Sequence, residues 1–245
     1  MEIKNLTIGL TLSIIFGSGV VCAGDFDLRS LVPKELFHED LVFKQGTSAM
    51  DQMADWKVLA KEGDATAQHN LGVVFERGLG RLVDRKIAFK WYAKAAEQGF
   101  PNSQYKLGKM YDNGNGVPEN DKQALEWYTL AAKQGFSDAP YNLGLMYDNG
   151  EGVAENDKTA VKWYTLAAEQ DDAEAQTNLG AMYQYGHGVP TDIKRAYMWY
   201  NLGSYNGTQL AFENKNKLAK QMTPTDISKA QDMSSRCLNS GYTDC

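Results

Sequence analysis

The residues best able to hold a metal or run redox and acid–base chemistry are few: His38, His69, His187, Cys22, Cys237 and Cys245. A structural zinc site takes four such ligands at close spacing, and an iron–sulfur cluster takes about four cysteines. Neither set is present, so no metal and no cofactor is expected. The run Asp112-Asn-Gly-Asn-Gly (112–116) looks superficially like a calcium loop. That loop needs oxygen ligands at its first, third and fifth positions and a glutamate at its twelfth. Here the third and fifth are Gly114 and Gly116, which suit a helix stop and a turn instead. No G-x-S-x-G elbow, phosphate-binding glycine loop, dinucleotide fingerprint or H-E-x-x-H helix occurs. His187 sits between Gly186 and Gly188 and reads as an exposed loop residue, while Asp157, Asp171 and Asp172 suit helix caps and solvent. Cys237 and Cys245 lack the C-x-x-C spacing of a redox-active pair. Joined, they would clip the last helix, worth ~2–3 kcal/mol in the chain-entropy account. The chain is expected not to be an enzyme.

Composition agrees with a folded protein. Of 245 residues, 43% are hydrophobic and 23% charged, too apolar for a disordered chain. The formal net charge of -6, with no stripe of Lys and Arg, argues against a nucleic-acid partner or an anionic membrane surface. Residues 1–23 read as a secretory signal peptide: Lys4, an uncharged apolar run from Leu6 to Val21, then Val21-Cys22-Ala23 as a small-residue cleavage site. The run is shorter than the ~20 residues a membrane-spanning helix needs, so no membrane insertion is expected after cleavage. Lipid attachment at Cys22 is the alternative, against which the bulk of Val21 argues. The expected location is periplasmic or secreted, an oxidising setting in which Cys237 and Cys245 would pair.

Self-comparison then organises the rest of the chain. Leu71-Gly72, Leu107-Gly108, Leu143-Gly144 and Leu179-Gly180 recur every 36 residues. So do Trp91, Trp127, Trp163 and Trp199, each followed by Tyr, and Ala88, Ala124, Ala160 and Ala196. Phe75, Tyr111, Tyr147 and Tyr183 keep the same phase. Each unit reads as two helices. In the second unit Ser103, Leu107, Met110 and Tyr111 share one face of a first helix over 101–113, and Gly114 and Pro118 stop it. Asp84, Asn120, Asn156 and Asp192 stand in phase as N-caps of the second helices. A glycine inside a helix costs ~1 kcal/mol relative to alanine, so four in register imply close helix approach. The tryptophan of the partner helix is expected to fill that space.

The predicted architecture is all-α, a right-handed superhelix of helix-turn-helix repeats forming one domain. After the signal peptide comes a lead-in over 24–47, with 33–45 as a degenerate first helix ended by Gly46. A half-repeat over 48–63 follows, in which Ala49, Met53, Trp56 and Ala60 share a face. The repeats are 64–99, 100–135, 136–171 and 172–207, and 208–245 holds capping helices over 208–222 and 224–238. Thr223-Pro224-Thr225-Asp226 is the capping box of the last.

The pattern A-x-x-x-L-G-x-M-Y, then G-x-G-V, then D-x-x-K-A-x-x-W-Y-x-x-A-A-x-x-G, resembles the Sel-one-like repeat (SLR) family, a relative of tetratricopeptide repeats. Ser103 to Tyr111 and on to Gly135 carries it, and each other unit carries it again, as does the closing segment Met222–Gln231. Unit one departs from it, with Arg81-Leu82-Val83 in place of Val-Pro-x. The resemblance covers about residues 48–238 and implies scaffolding and protein recognition, often by exported bacterial proteins. It also implies two alternatives: an immunity or adaptor protein that neutralises a toxin, and a hydrolase acting on cell-wall or β-lactam substrates. The cysteine-rich branch credited with the latter has repeated cysteine pairs that are missing here.

With the core positions assigned, the first helices present positions that vary between units. These are His69/Val73/Glu76, Tyr105/Lys109/Asp112, Tyr141/Leu145/Asp148 and Thr177/Ala181/Gln184. In related solenoids the first helices line the concave side. His69, Tyr105 and Tyr141 would there offer large contacts at low entropic cost, the usual composition of a hot spot. The expected partner is another protein, held on this stripe by a chain that is otherwise a monomer. The same residues also read as ordinary bridges between neighbouring units.

Overall fold

The computed structural model describes residues 49–79, 81–243 and 245; the predicted signal peptide, Cys22, the lead-in over 24–47 and Gly46 lie outside the described residues. Eleven helices and no strand occur among the described residues: α1 (Ala49–Glu62), α2 (Ala65–Arg77), α3 (Arg85–Glu97), α4 (Pro101–Asp112), α5 (Asp121–Lys133), α6 (Ala139–Asn149), α7 (Asp157–Ala168), α8 (Ala173–Tyr185), α9 (Ile193–Tyr205), α10 (Gln209–Ala219) and α11 (Pro224–Asn239). The architecture is an all-α superhelix of two-helix repeats. α2/α3, α4/α5, α6/α7 and α8/α9 pack as hairpins, successive hairpins stack through α3/α4, α5/α6 and α7/α8, and α1 packs on α2. None of the described helices is long and apolar enough to cross a membrane.

The same local chemistry builds each hairpin. Asp84, Asn120, Asn156 and Asp192 cap the second helices, their side chains accepting from the backbone N–H of Ile87, Gln123, Thr159 and Arg195. Each cap residue also donates its own backbone N–H back to the first helix: Asp84 to Phe75 O at 2.9 Å, Asn120 to Tyr111 O at 2.9 Å, Asn156 to Tyr147 O at 2.8 Å and Asp192 to Tyr183 O at 2.9 Å. The divergent Arg81-Leu82-Val83 of unit one therefore changes the loop surface and leaves its closure intact. Leu82 is 90% exposed there, and the Arg81 guanidinium lies over the Phe75 ring. In the later units the loop turns on Gly116, Gly152 and Gly188, all at positive φ. A Cβ on any of them would stand 2.5 Å from backbone of Arg85, Asp121 or Asp157 in the preceding unit, so these glycines set the spacing between repeats.

Close approach within each hairpin is real, but the tyrosine, not the tryptophan, occupies the space over the glycine. A Cβ on Gly72 would meet Tyr92 Cδ1 at 2.5 Å, and one on Gly108 would meet Tyr128 Cδ1 at 2.5 Å. Gly144 and Gly180 stand in the same way beneath Tyr164 and Tyr200. These four tyrosines are buried alongside Leu71, Leu107, Leu143 and Leu179. Trp91, Trp127 and Trp163 are half-buried instead, packed on the edges of the clusters that join one unit to the next. Trp199 is buried because α11 packs against α9 and brings Cys237, Met233 and Leu238 into its cluster.

The array ends by substitution. α10 keeps Ala211 and Leu218 buried at the positions of Ala175 and Met182, but Lys215-Asn216 stand where repeats have Leu-Gly. No second helix can nest there, and α11 folds back onto α9. Thr223 caps α11 as its box predicts, accepting from Asp226 N at 3.1 Å and donating to the Asp226 carboxylate at 2.8 Å.

Candidate functional site

The first helices, of which α6 and α8 touch directly, present one side of the repeats, the side expected to be the inner one of the superhelix. The predicted stripe lies on these helices, but its three columns do different work. In the first column His69 and Thr177 are buried. The His69 Nδ1 lies 2.8 Å from Ser103 Oγ across the boundary between units one and two, and its ring packs on Tyr92 and Phe100. Val73, in the second column, is also buried. His69, Val73 and Thr177 therefore cannot serve as contact residues: neighbouring units already cover them. The His69–Ser103 pair, sealed from solvent, cannot meet a substrate either.

Tyr105 and Tyr141 are half-buried, and their orientation is set by the following unit. Tyr105 packs on Phe136 and Tyr128, and its hydroxyl accepts from Asn142 Nδ2 at 3.4 Å. Tyr141 packs near Tyr164, with the Asn178 amide beside its phenol. Burial, followed by the negative charges of Glu174 and Asp172, pushes the Tyr141 phenol up, so it stays protonated. Asn142 and Asn178 stand beside the stripe and were not among its positions. Their sequence signal was an in-phase asparagine before Leu-Gly in three units, Asn70, Asn142 and Asn178, interrupted by Lys106. Lys106 bridges units one and two through Glu76 at 3.4 Å.

The third column accepts hydrogen bonds from the core tyrosines. Tyr92 donates to Glu76 at 2.7 Å, Tyr128 to Asp112 at 3.1 Å, Tyr164 to Asp148 at 3.1 Å and Tyr200 to Gln184 at 2.8 Å. Burial raises the carboxyls of Asp112 and Asp148 above their ordinary value, with the tyrosine bonds opposing it. Burial, and then the neighbouring Asp112 or Asp148, pushes the phenols of Tyr128 and Tyr164 up as well, so each remains the donor. Asp112 is thereby engaged by Tyr128 rather than turned outward as a loop ligand. Among the described residues no group of three His, Cys, Asp or Glu side chains is placed to hold a metal ion.

What remains open to a ligand on the inner side is the exposed Lys109 and the half-buried Tyr105, Asp112, Tyr141, Leu145, Asp148 and Ala181. The surface mixes aromatic, aliphatic and charged groups on rigid helices. Away from it, His187 is exposed and stacks near Tyr185. Cys237 and Cys245 are joined by a disulfide.

A helical-hairpin solenoid with an inner polar and aromatic face defines a class of repeat scaffold. The Sel1 repeat family matches residues 65–100, 101–136, 137–172 and 173–208, and the chain belongs to that family. Sel1 repeat proteins act as protein-interaction scaffolds. A solved Sel1 repeat protein from Oxalobacter formigenes is similar at 35% identity and a TM-score of 0.63, covering 66% of this chain and 67% of its own. The protein c5321, a protective antigen present in uropathogenic Escherichia coli strains, is similar at 28% identity and a TM-score of 0.53. That match covers 80% of this chain but 51% of c5321, so this chain spans about half its length. No curated protein matches.

Proposed function

We propose that this chain is an exported, non-enzymatic scaffold that binds a protein partner on the inner face formed by α4, α6 and α8. The observation carrying this is the pair of half-buried aromatics Tyr105 and Tyr141, the first held by Asn142 of the next unit and the second packed near Tyr164, beside the exposed Lys109. Side chains ordered before binding lose little entropy when a partner arrives, which suits them as anchors. Export rests on the reading of residues 1–23 and accords with the disulfide.

The test is affinity capture from envelope extract with the full chain as bait, followed by mass spectrometry and titration of the captured protein. Replacing the exposed Lys109 by glutamate should weaken binding at least ~10-fold, the loss of ~1.4 kcal/mol expected from hot-spot disruption, at unchanged melting temperature. Tyr141→Ala should weaken it further. Unchanged affinity in both variants refutes the inner-face assignment.

A further inference from the structure

The loop closed by Cys237 and Cys245 reaches back to a junction between repeats. Tyr242 is buried, and its hydroxyl donates to Asp171 Oδ1. The Tyr242 hydroxyl oxygen in turn accepts from Gln176 Nε2 at 3.2 Å and Asn206 Nδ2 at 3.4 Å. Gln176 and Asn206 form a rung that recurs within repeats, joining the first turn of the first helix to the end of the second. Gln98 donates to Gln68 at 2.7 Å, Gln134 to Gln104 at 2.6 Å and Asn206 to Gln176 at 3.0 Å. In the third unit Pro140 takes the glutamine's place. Of these three rungs, the one at Gln176 and Asn206 is the one that takes a phenol.

A second observation singles out the same place. Repeat turns pass through glycine at positive φ at Gly63, Gly99, Gly135 and Gly207. The in-phase residue in the remaining turn is Asp171, at φ 65, and the other non-glycine residue at positive φ among those described is Tyr242, also at 65. A side chain in this region is disfavoured, and here the two disfavoured residues are bonded to each other. Helix α11, in turn, rests on its neighbours through three buried side chains, Ala230, Ser234 and Cys237, two of them without a polar group, with Ile227, Met233 and Leu238 half-buried at the cluster edges. This contact is what covers Trp199.

We propose that the Cys237–Cys245 disulfide is a redox-set latch for the C-terminal cap. Oxidised, it seats Tyr242 in the socket of Asp171, Gln176 and Asn206 and holds α11 on α9. Reduced, the loop opens, Tyr242 leaves the socket and α11 loosens, uncovering Trp199. Closing the latch removes two electrons and two protons from the thiols. A small-molecule or protein disulfide accepts them by exchange through a mixed disulfide and departs as two thiols. The physiological setting rests on the proposed export, since the latch closes in an oxidising compartment; the latch itself is measured without any partner.

The experiment is hydrogen exchange by mass spectrometry on the full chain, oxidised, reduced with dithiothreitol and reoxidised with oxidised glutathione. Alkylation of Cys237 and Cys245 identifies the reduced sample. Reduction should speed exchange at residues 230–242 and 171–176 at least ~10-fold, leave α2 to α5 unchanged, and reverse on reoxidation. Tyr242→Phe, which keeps the disulfide but removes the donated hydroxyl, should speed exchange at 171–176 in the oxidised chain. Unchanged exchange at 230–242 on reduction overturns the proposal, as does a uniform rise through all four repeats. A disulfide that resists reduction until the whole chain unfolds overturns it too, and so does a Tyr242→Phe chain with unaltered exchange at 171–176.

Discussion

Replacing Gly108 by alanine sets two effects of opposite sign against each other. Helix propensity alone favours the change by ~1 kcal/mol, because glycine is the poorer helix former. Packing opposes it. A Cβ at this position stands 2.5 Å from Tyr128 Cδ1 and 2.6 Å from Cε1, about 1 Å inside ordinary carbon contact. Tyr128 is fully buried and cannot swing into solvent, and its hydroxyl is tied to Asp112 at 3.1 Å. Moving the ring strains the surrounding core by ~1–3 kcal/mol and weakens a hydrogen bond worth ~1 kcal/mol. The outcome expected for Gly108→Ala is a loss of about 1–3 kcal/mol, read from urea unfolding followed by circular dichroism. Tyr128→Leu shortens the side chain over the glycine. In that background Gly108→Ala should cost much less, giving a coupling of ~1–3 kcal/mol in the double-mutant cycle. A Gly108→Ala chain as stable as the parent, or more so, would refute the close-approach account of all four glycines.

Two further outcomes follow from the repeat interior. The half-buried Asp112 and Asp148 carboxyls hold their protons to higher pH than 3.8, so the unfolded chain deprotonates first. Their stabilisation is therefore complete below pH 3.8 and declines as pH rises toward the raised folded values. Asp148→Asn, which mimics the neutral Gln184 acceptor of unit four, should flatten that part of the decline in a melting-temperature series against pH; an unaltered slope contradicts the assignment. Asn120→Ala removes the acceptor for Gln123 N–H and should cost ~1 kcal/mol in thermal unfolding, while an exposed change at Glu119 should be near neutral.

The period, the helix pairs and the caps were legible because the same packing problem is solved four times, and each solution repeats its residues. Which aromatic covers the glycine was less evident, since Trp127 and Tyr128 are adjacent and both recur in phase. Helical spacing does not separate them cleanly: Ala124, Tyr128 and Ala131 fall at i, i+4 and i+7, and Trp127, at i+3, lies at the edge of the same face. The inner stripe was misjudged at His69 for another reason. Variation between units was read as freedom from packing, yet His69 varies together with Ser103, which stands where other units have Ala67, Ala139 and Ala175. The socket of Tyr242 left a fainter trace, because an aspartate in place of a turn glycine also reads as a helix cap.

Departures from the repeat therefore come in compensating sets. Lys106 replaces the in-phase asparagine where Glu76, longer than Asp112 or Asp148, can reach it. Asp171 replaces glycine where Tyr242 arrives, and Lys215-Asn216 replace Leu-Gly where no further helix nests. Each set gives a unit a distinct place, so identical hairpins cannot slip register by one repeat without breaking a pair. Binding residues are then sought by subtraction, among departures that no other departure answers. In the column Lys109, Leu145, Ala181, the last two pack on the clusters of neighbouring helices, whereas Lys109 is exposed. On the proposed reading Lys109 is therefore the position where selection by a partner, rather than by the fold, acts.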